Sequence, residues 1–239
     1  MAYLKPNDQR AKTAISLVWV VLGIEMLALV SNYFQYQLLS SARYGGGITH
    51  EAAQSNQSRQ QIIALLYIMA YVASGVSFIQ WFRRAFYNLH FRVKPLSDKE
   101  GWAAGCWFVP IMNLYRPYQI MKEMFEKTDR LLEEKVSNYE TIKSFGFLGG
   151  WWSLWIFSNI VANSTLTLGG SAKSVQNLMN DTIAHIVSEL LAIPLAIVTV
   201  NVIKKYSKME PLLVDLEDVD SAPPPIDSTL DVIDSDLIK

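Results

Sequence analysis

The chain has 239 residues, 51% of them hydrophobic, with a net charge of −1 and a single cysteine. It lacks the global basic field that nucleic-acid binding needs, and Cys106 alone supports neither a disulfide framework nor a zinc site. The apolar residues are gathered in helix-length blocks, which leaves no soluble core of useful size.

In chain order, residues 1–12 carry Lys5, Arg10 and Lys12 ahead of an apolar run at about 14–34. The run is too long for a signal-peptide core and no small-residue cleavage site follows it, so it reads as a retained signal-anchor helix. A polar stretch at 35–61, with Gly45-Gly46-Gly47, reads as a flexible loop. Further apolar runs follow at 62–82, 145–168 and 183–203. Each of the four has about the 17–25 residues a helix needs to cross the hydrocarbon layer. Four crossings put the N-terminus, the 83–144 connection and the C-terminal tail on one side. Those segments hold three, eleven and four of the 21 Lys and Arg; the other side holds Arg43, Arg59 and Lys173. Basic residues accumulate on the cytoplasmic face. The expectation is an all-α, multi-pass protein of the inner (plasma) membrane, with both termini cytoplasmic and a membrane domain over 13–205.

The connection at 83–144 has an internal order of its own. Residues 101–115 are apolar and aromatic without charge, too short for a comfortable crossing and flanked by basic residues. Segment 101–118 is therefore expected to be re-entrant or interface-lying, broken at Pro110 and restarted at Pro117, where proline suits the first position of a helix. From Pro117, the residues Tyr118, Met121, Phe125, Thr128 and Leu132 share one face and charged residues the rest, which predicts an amphipathic helix over 117–135. Residues 206–239 are expected to form a disordered acidic tail: nine acids stand against one Lys after Lys208, around Pro223-Pro224-Pro225. The tail reads either as a solvated extension or as a docking peptide for a protein partner.

Ionisable groups inside a membrane are the default functional candidates. At about 1.5 Å per residue, Glu25, Asn159, Asn163, His185 and Glu189 fall in one layer in the outer half of the bundle. His185 and Glu189 are four apart on one face, as are Asn159 and Asn163. The layer serves either as interhelical hydrogen bonding that fixes register or as an ion or proton pathway. A metal reading is weak, because Glu25, His185 and Glu189 supply three ligands without a second histidine. No catalytic constellation emerges: the glycine run lacks a following Lys-Ser/Thr, and three histidines offer no Ser-His-Asp arrangement. No cofactor is expected, and Cys106 lies in an apolar stretch where a thiol usually packs.

The motif segment, with Gly101-Trp102, Trp107-Phe108, Pro110, Asn113-Leu114 and Pro117-Tyr118, resembles the hallmark of a bacterial integral-membrane family catalogued as domain of unknown function 4328. Trp81-Phe82, Ala85 and Asn88-Leu89 fit the same pattern, and the resemblance covers about 13–205. It implies four spans with the motif on the cytoplasmic side, and lends no activity. Asn113 is expected to bond backbone groups released between the prolines, while Trp102 and Trp107 anchor the segment at headgroup level. The motif then acts as a structural turn docking the amphipathic helix, or as a gate or partner surface. The expected function is non-enzymatic: a scaffold or accessory subunit in the bilayer, meeting a partner through the tail or amphipathic helix. The alternative is a small transporter or channel, working as a homo-oligomer through the Glu25/His185/Glu189 layer.

Overall fold

The computed structural model describes residues 4–168, 174–213 and 216. Among these, every regular element is helical: α1 Asp8–Arg43, α2 His50–His90, α3 Trp102–Gly105, α4 Arg116–Lys135, α5 Gly146–Leu168 and α6 Val175–Met209. Two 3₁₀ turns, Met112–Leu114 and Glu210–Leu213, complete the set.

Three helices, α1, α2 and α6 with its 3₁₀ extension, are long and apolar enough to cross a membrane. Only 6%, 11% and 28% of their most apolar windows are buried inside the chain. Burial within the protein therefore leaves most of that apolar surface uncovered, as in a protein solvated by lipid. The helix α5 has 23 residues and carries no acid in its first turn and no base in its last.

The long helices overrun the apolar runs. At about 1.5 Å per residue, the 36 residues of α1 reach well past a 30 Å layer. Segment 35–61 is thus not the expected loop: it is helical to Arg43 and again from His50, where Thr49 caps the start of α2 by accepting from the Ala52 amide. Only 44–49 connect them, and Gly45 takes a φ of +88°, a conformation glycine adopts without strain.

The packing order is α2–α1–α6–α5. Helices α2 and α5 are the edges of an open arc, and α4 lies across one end of it, against α2, α5 and α6. The buried core gathers at that α4 end, where Trp81, Phe82, Phe86, Met121, Phe125, Trp151 and Tyr206 are enclosed together. Phe125 and Tyr206 pack edge to face at 5.3 Å. In α4 the buried residues Ile120, Met121, Met124, Phe125, Thr128 and Leu132 form one face, and Lys122, Glu126 and Arg130 stand outside.

The tail begins later than the sequence suggests. Residues 206–209 continue α6, and Glu210–Leu213 turns back onto the core with Glu210 and Leu213 buried. Leu216 also packs there. The remaining tail, 214–215 and 217–239, lies outside the described residues, as do 169–173 of the connection before α6.

Candidate functional site

A cavity of about 470 Å³ opens between the arc's two edges. Val18, Val21 and Leu22 of α1, Ile79 of α2, and Ala192 and Leu195 of α6 give it apolar walls. Glu25, Tyr67, Tyr71, Ser158, Asn159, Ser188 and Thr199 add polar groups. Tyr67 and Tyr71 stand beside Glu25, and their rings lie 5.6 Å apart. No basic side chain reaches Glu25 among the described residues.

The motif segment forms the α4-ward end of this cavity. Its Trp107 ring meets Phe78 and Phe82 of α2 at 5.6 and 6.1 Å, and Trp152 and Trp155 of α5 at 6.0 and 5.9 Å. All four contacts are edge-on, the arrangement that aromatic quadrupoles favour. Trp107 is thus a wedge between two helices whose backbones do not otherwise meet closely. Trp152 Nε1 donates to the Leu114 carbonyl at 2.8 Å and fixes the far side of the segment to α5. On the near side, the Arg116–Asp98 pair at 2.6 Å and the Ser97 amide bond to Glu123 at 2.9 Å hold the connection to α4. Between these anchors Phe108 and Ile111 protrude, 77% and 74% exposed. Cys106 is enclosed, and burial pushes its thiol up to about 11. That is a packing thiol, not a nucleophile.

Asn113 departs from its expected role. Its side-chain oxygen lines the cavity and accepts no bond from the chain, while its backbone amide donates to Val109 at 2.8 Å. Trp107 Nε1 and Ser158 Oγ are likewise buried without a partner and line the same cavity. Buried polar atoms are nearly always paired in folded proteins, by protein or by water, so three such atoms around one space mark it as a place for polar company.

The expected polar layer separates into parts. Glu25 and Asn159 line the cavity; Asn163, His185 and Glu189 do not. Asn159 and Asn163 donate to carbonyls one turn earlier in their own helix, Trp155 and Asn159, at 2.7 and 2.9 Å. His185 is exposed on the outer surface of α6. Glu189 is buried, and accepts from Asn32 Nδ2 of α1 at 2.6 Å; Asn32 in turn accepts from Gln60 of α2 at 3.0 Å. A second string runs alongside. Arg59 donates to Ser31 and Asn56, Asn56 to Gln35, and Gln35 to Thr182 of α6 at 2.9 Å. The partners Ser31, Asn32, Gln35, Asn56, Arg59 and Gln60 escaped the sequence reading because they cluster at or beyond the ends of the apolar runs. Their spacing, polar at 31, 32 and 35 and at 56, 59 and 60, is the helical signal that would have revealed them.

A further buried node ties together the chain's distant parts at the α4 end. Glu210 accepts from Asn7 Nδ2 at 2.9 Å and from Asn88 Nδ2 at 2.6 Å. Asn88 also exchanges bonds with the backbone of Lys5 at 3.0 and 2.9 Å. Burial holds the Glu210 carboxyl above the usual carboxylate range, with the two amides working against it.

No group of metal-ligating side chains occurs among the described residues. What the fold and site define is an all-helical protein with apolar helices compatible with a membrane and a partly polar cavity inside its arc. The chain belongs to the family described as domain of unknown function DUF4328, whose model matches residues 45–208. The match begins after α1, so Glu25 and Asn32 lie ahead of it. No curated protein and no solved structure matches this chain.

Proposed function

We propose that this chain is a four-span, non-enzymatic membrane protein that acts as a scaffold or accessory subunit. The observation that carries the reading is how the buried polar groups are engaged. Glu189 is bonded by Asn32, Gln35 reaches Thr182, and Glu210 joins Asn7 to Asn88. These bonds fix helix against helix and draw no continuous polar path from Glu25 through His185. The helix α5 serves as the fourth span, at about 34 Å for its 23 residues. Segment 101–118 dips into the interface, with exposed Phe108 and Ile111 facing lipid, and α4 lies along the membrane with its charged side to water. The excess of basic residues puts both termini and α4 on the cytoplasmic side of the plasma membrane of a bacterial cell. A protein partner meets α4 or the acidic tail.

The second reading, a small ion- or proton-coupled transporter, is favoured by one observation: Glu25 faces the cavity without a basic partner. Reconstitution separates the two. Flux of protons or monovalent cations into proteoliposomes is compared for wild type, Glu25→Gln and Glu189→Gln. A scaffold gives no flux above empty vesicles in any of the three. Robust wild-type flux lost in either variant overturns it in favour of the transporter.

A further inference from the structure

We propose that the cavity between α2 and α5 is a binding site for a hydrophobic organic cation of small-molecule size, whose charge rests at Glu25. This goes beyond the accessory role, since a scaffold that binds no ligand is equally consistent with the helix-to-helix bonds described above.

Four features converge on that chemistry. The first is size: about 470 Å³ lies within the range of pockets that enclose small organic molecules. The second is charge: among the described residues Glu25 is the one acid lining the cavity, and no basic side chain pairs with it. A cation compensates a carboxylate in an apolar setting, and an anion is repelled. The third is the aromatic surround. Tyr67 and Tyr71 stand beside Glu25, and Phe78, Trp151 and Trp155 line the α4-ward half. Ring faces attract organic cations and cover flat apolar bodies. The fourth is the set of unpartnered atoms, Trp107 Nε1 and Asn113 Oδ1 of the motif segment and Ser158 Oγ of α5, which can serve a polar substituent. A bare metal ion fits poorly, because hard cations need several oxygen ligands and the walls here are mostly apolar. Entry is lateral, between α2 and α5 beyond the Trp107 wedge that joins them at the motif end.

The test uses the full chain in nanodiscs, with tetraphenylphosphonium as probe and tetraphenylborate as the anion of the same shape. Saturable binding above protein-free nanodiscs is measured by equilibrium dialysis. The proposal expects tetraphenylphosphonium to bind the wild type at least about tenfold more tightly than tetraphenylborate, and Glu25→Gln to lose about tenfold in affinity. Glu126→Gln, on the outer face of α4 and away from the cavity, should stay within about twofold. Should Glu25→Gln fail to give monodisperse protein, Gly75→Leu decides. Gly75 lines the cavity in α2 and a Cβ there meets nothing within 4 Å, so the larger side chain enters the cavity with no backbone clash. It should abolish binding while leaving Glu25 in place. Equal binding of the two ions, retention of affinity by Glu25→Gln or by Gly75→Leu, or no saturable wild-type signal overturns the proposal. None of these results bears on the flux comparison, so the scaffold reading and this one fail separately.

Discussion

Glu210 shows how one side chain can tie the sequence together. It stands in a run of acids that looks solvated, yet it is 7% exposed and holds amides from α2 and from the segment before α1. Replacing it with alanine leaves one buried N–H of each amide without its acceptor, while Asn7 keeps the Trp81 carbonyl and Asn88 the Lys5 carbonyl, and should lower stability by about 1–3 kcal/mol. The pH dependence has a definite sign. Burial raises the folded-state pKa, so the folded chain holds this proton more tightly than the unfolded chain does. Its stabilising contribution is complete below the ordinary carboxylate value, about 4.3, and is lost as pH rises through the folded value. Thermal unfolding in detergent, followed upward from that pH, should show the wild type losing more stability than Glu210→Gln, whose amide does not titrate. A flat difference between the two profiles contradicts the node as described. None of this was legible in the sequence, because composition reads a tail as an average and the partners lie 122 and 203 positions away. The layer of Glu25, His185 and Glu189 is drawn together only in part, for a related reason: Glu25 and Glu189 lie within reach of each other's charge, and His185 does not join them. Depth along a helix follows from counting, but facing depends on how each helix is rotated against its neighbours. Glu189 turns to α1 and His185 to the outside, although they share a helix and lie one turn apart.

At the scale of elements, the motif segment is best understood through Trp107. The sequence marked it as a headgroup anchor; the structure puts its ring between α2 and α5, touching two aromatic side chains on each. Trp107→Ala removes that wedge and should cost about 3 kcal/mol, toward the low end for large-to-small aromatic truncation because the residue is only half-buried. Trp107→Phe keeps most of the ring contacts and should cost less than half as much. Chemical unfolding in mild detergent checks both, and equal losses would show that the indole nitrogen matters more than the volume. The starts of α4 and α5 were readable from Pro117 and from the apolar run at 145 because those signals are local. The overrun of α1 and α2 was not, because polar residues beyond a hydrophobic run look like loop until a neighbouring helix supplies their partners.

For the whole molecule, the proposed topology rests on where basic residues collect. In a Cys106→Ala background, a cysteine at Ser55 should react with an impermeant maleimide in intact cells, and cysteines at Ser97 and Ser137 only after lysis. Labelling of Ser137 from outside contradicts the four-span arrangement. Opposite compartments for Ser97 and Ser137 would make 101–118 a true crossing.

The arc is fastened very unevenly. At one end α2 and α5 are bolted by Trp107, by Trp152 and by the floor that α4 provides; toward the other, among the described residues, α1 and α6 stand between them. Mechanically this is a pair of tongs, with its pivot at the motif and its tips toward the far ends of α2 and α5. In the proposed bilayer setting, lateral pressure would load the tips, and bilayer thickness is expected to change their separation. Spin labels at Ile68 and Ile160 should report a broader distance distribution than labels at Arg83 and Gly150, and the outer distance alone should shift when the lipid chains are shortened. Equal widths for the two pairs would mean that the arc moves as a rigid plate, with no tips to press.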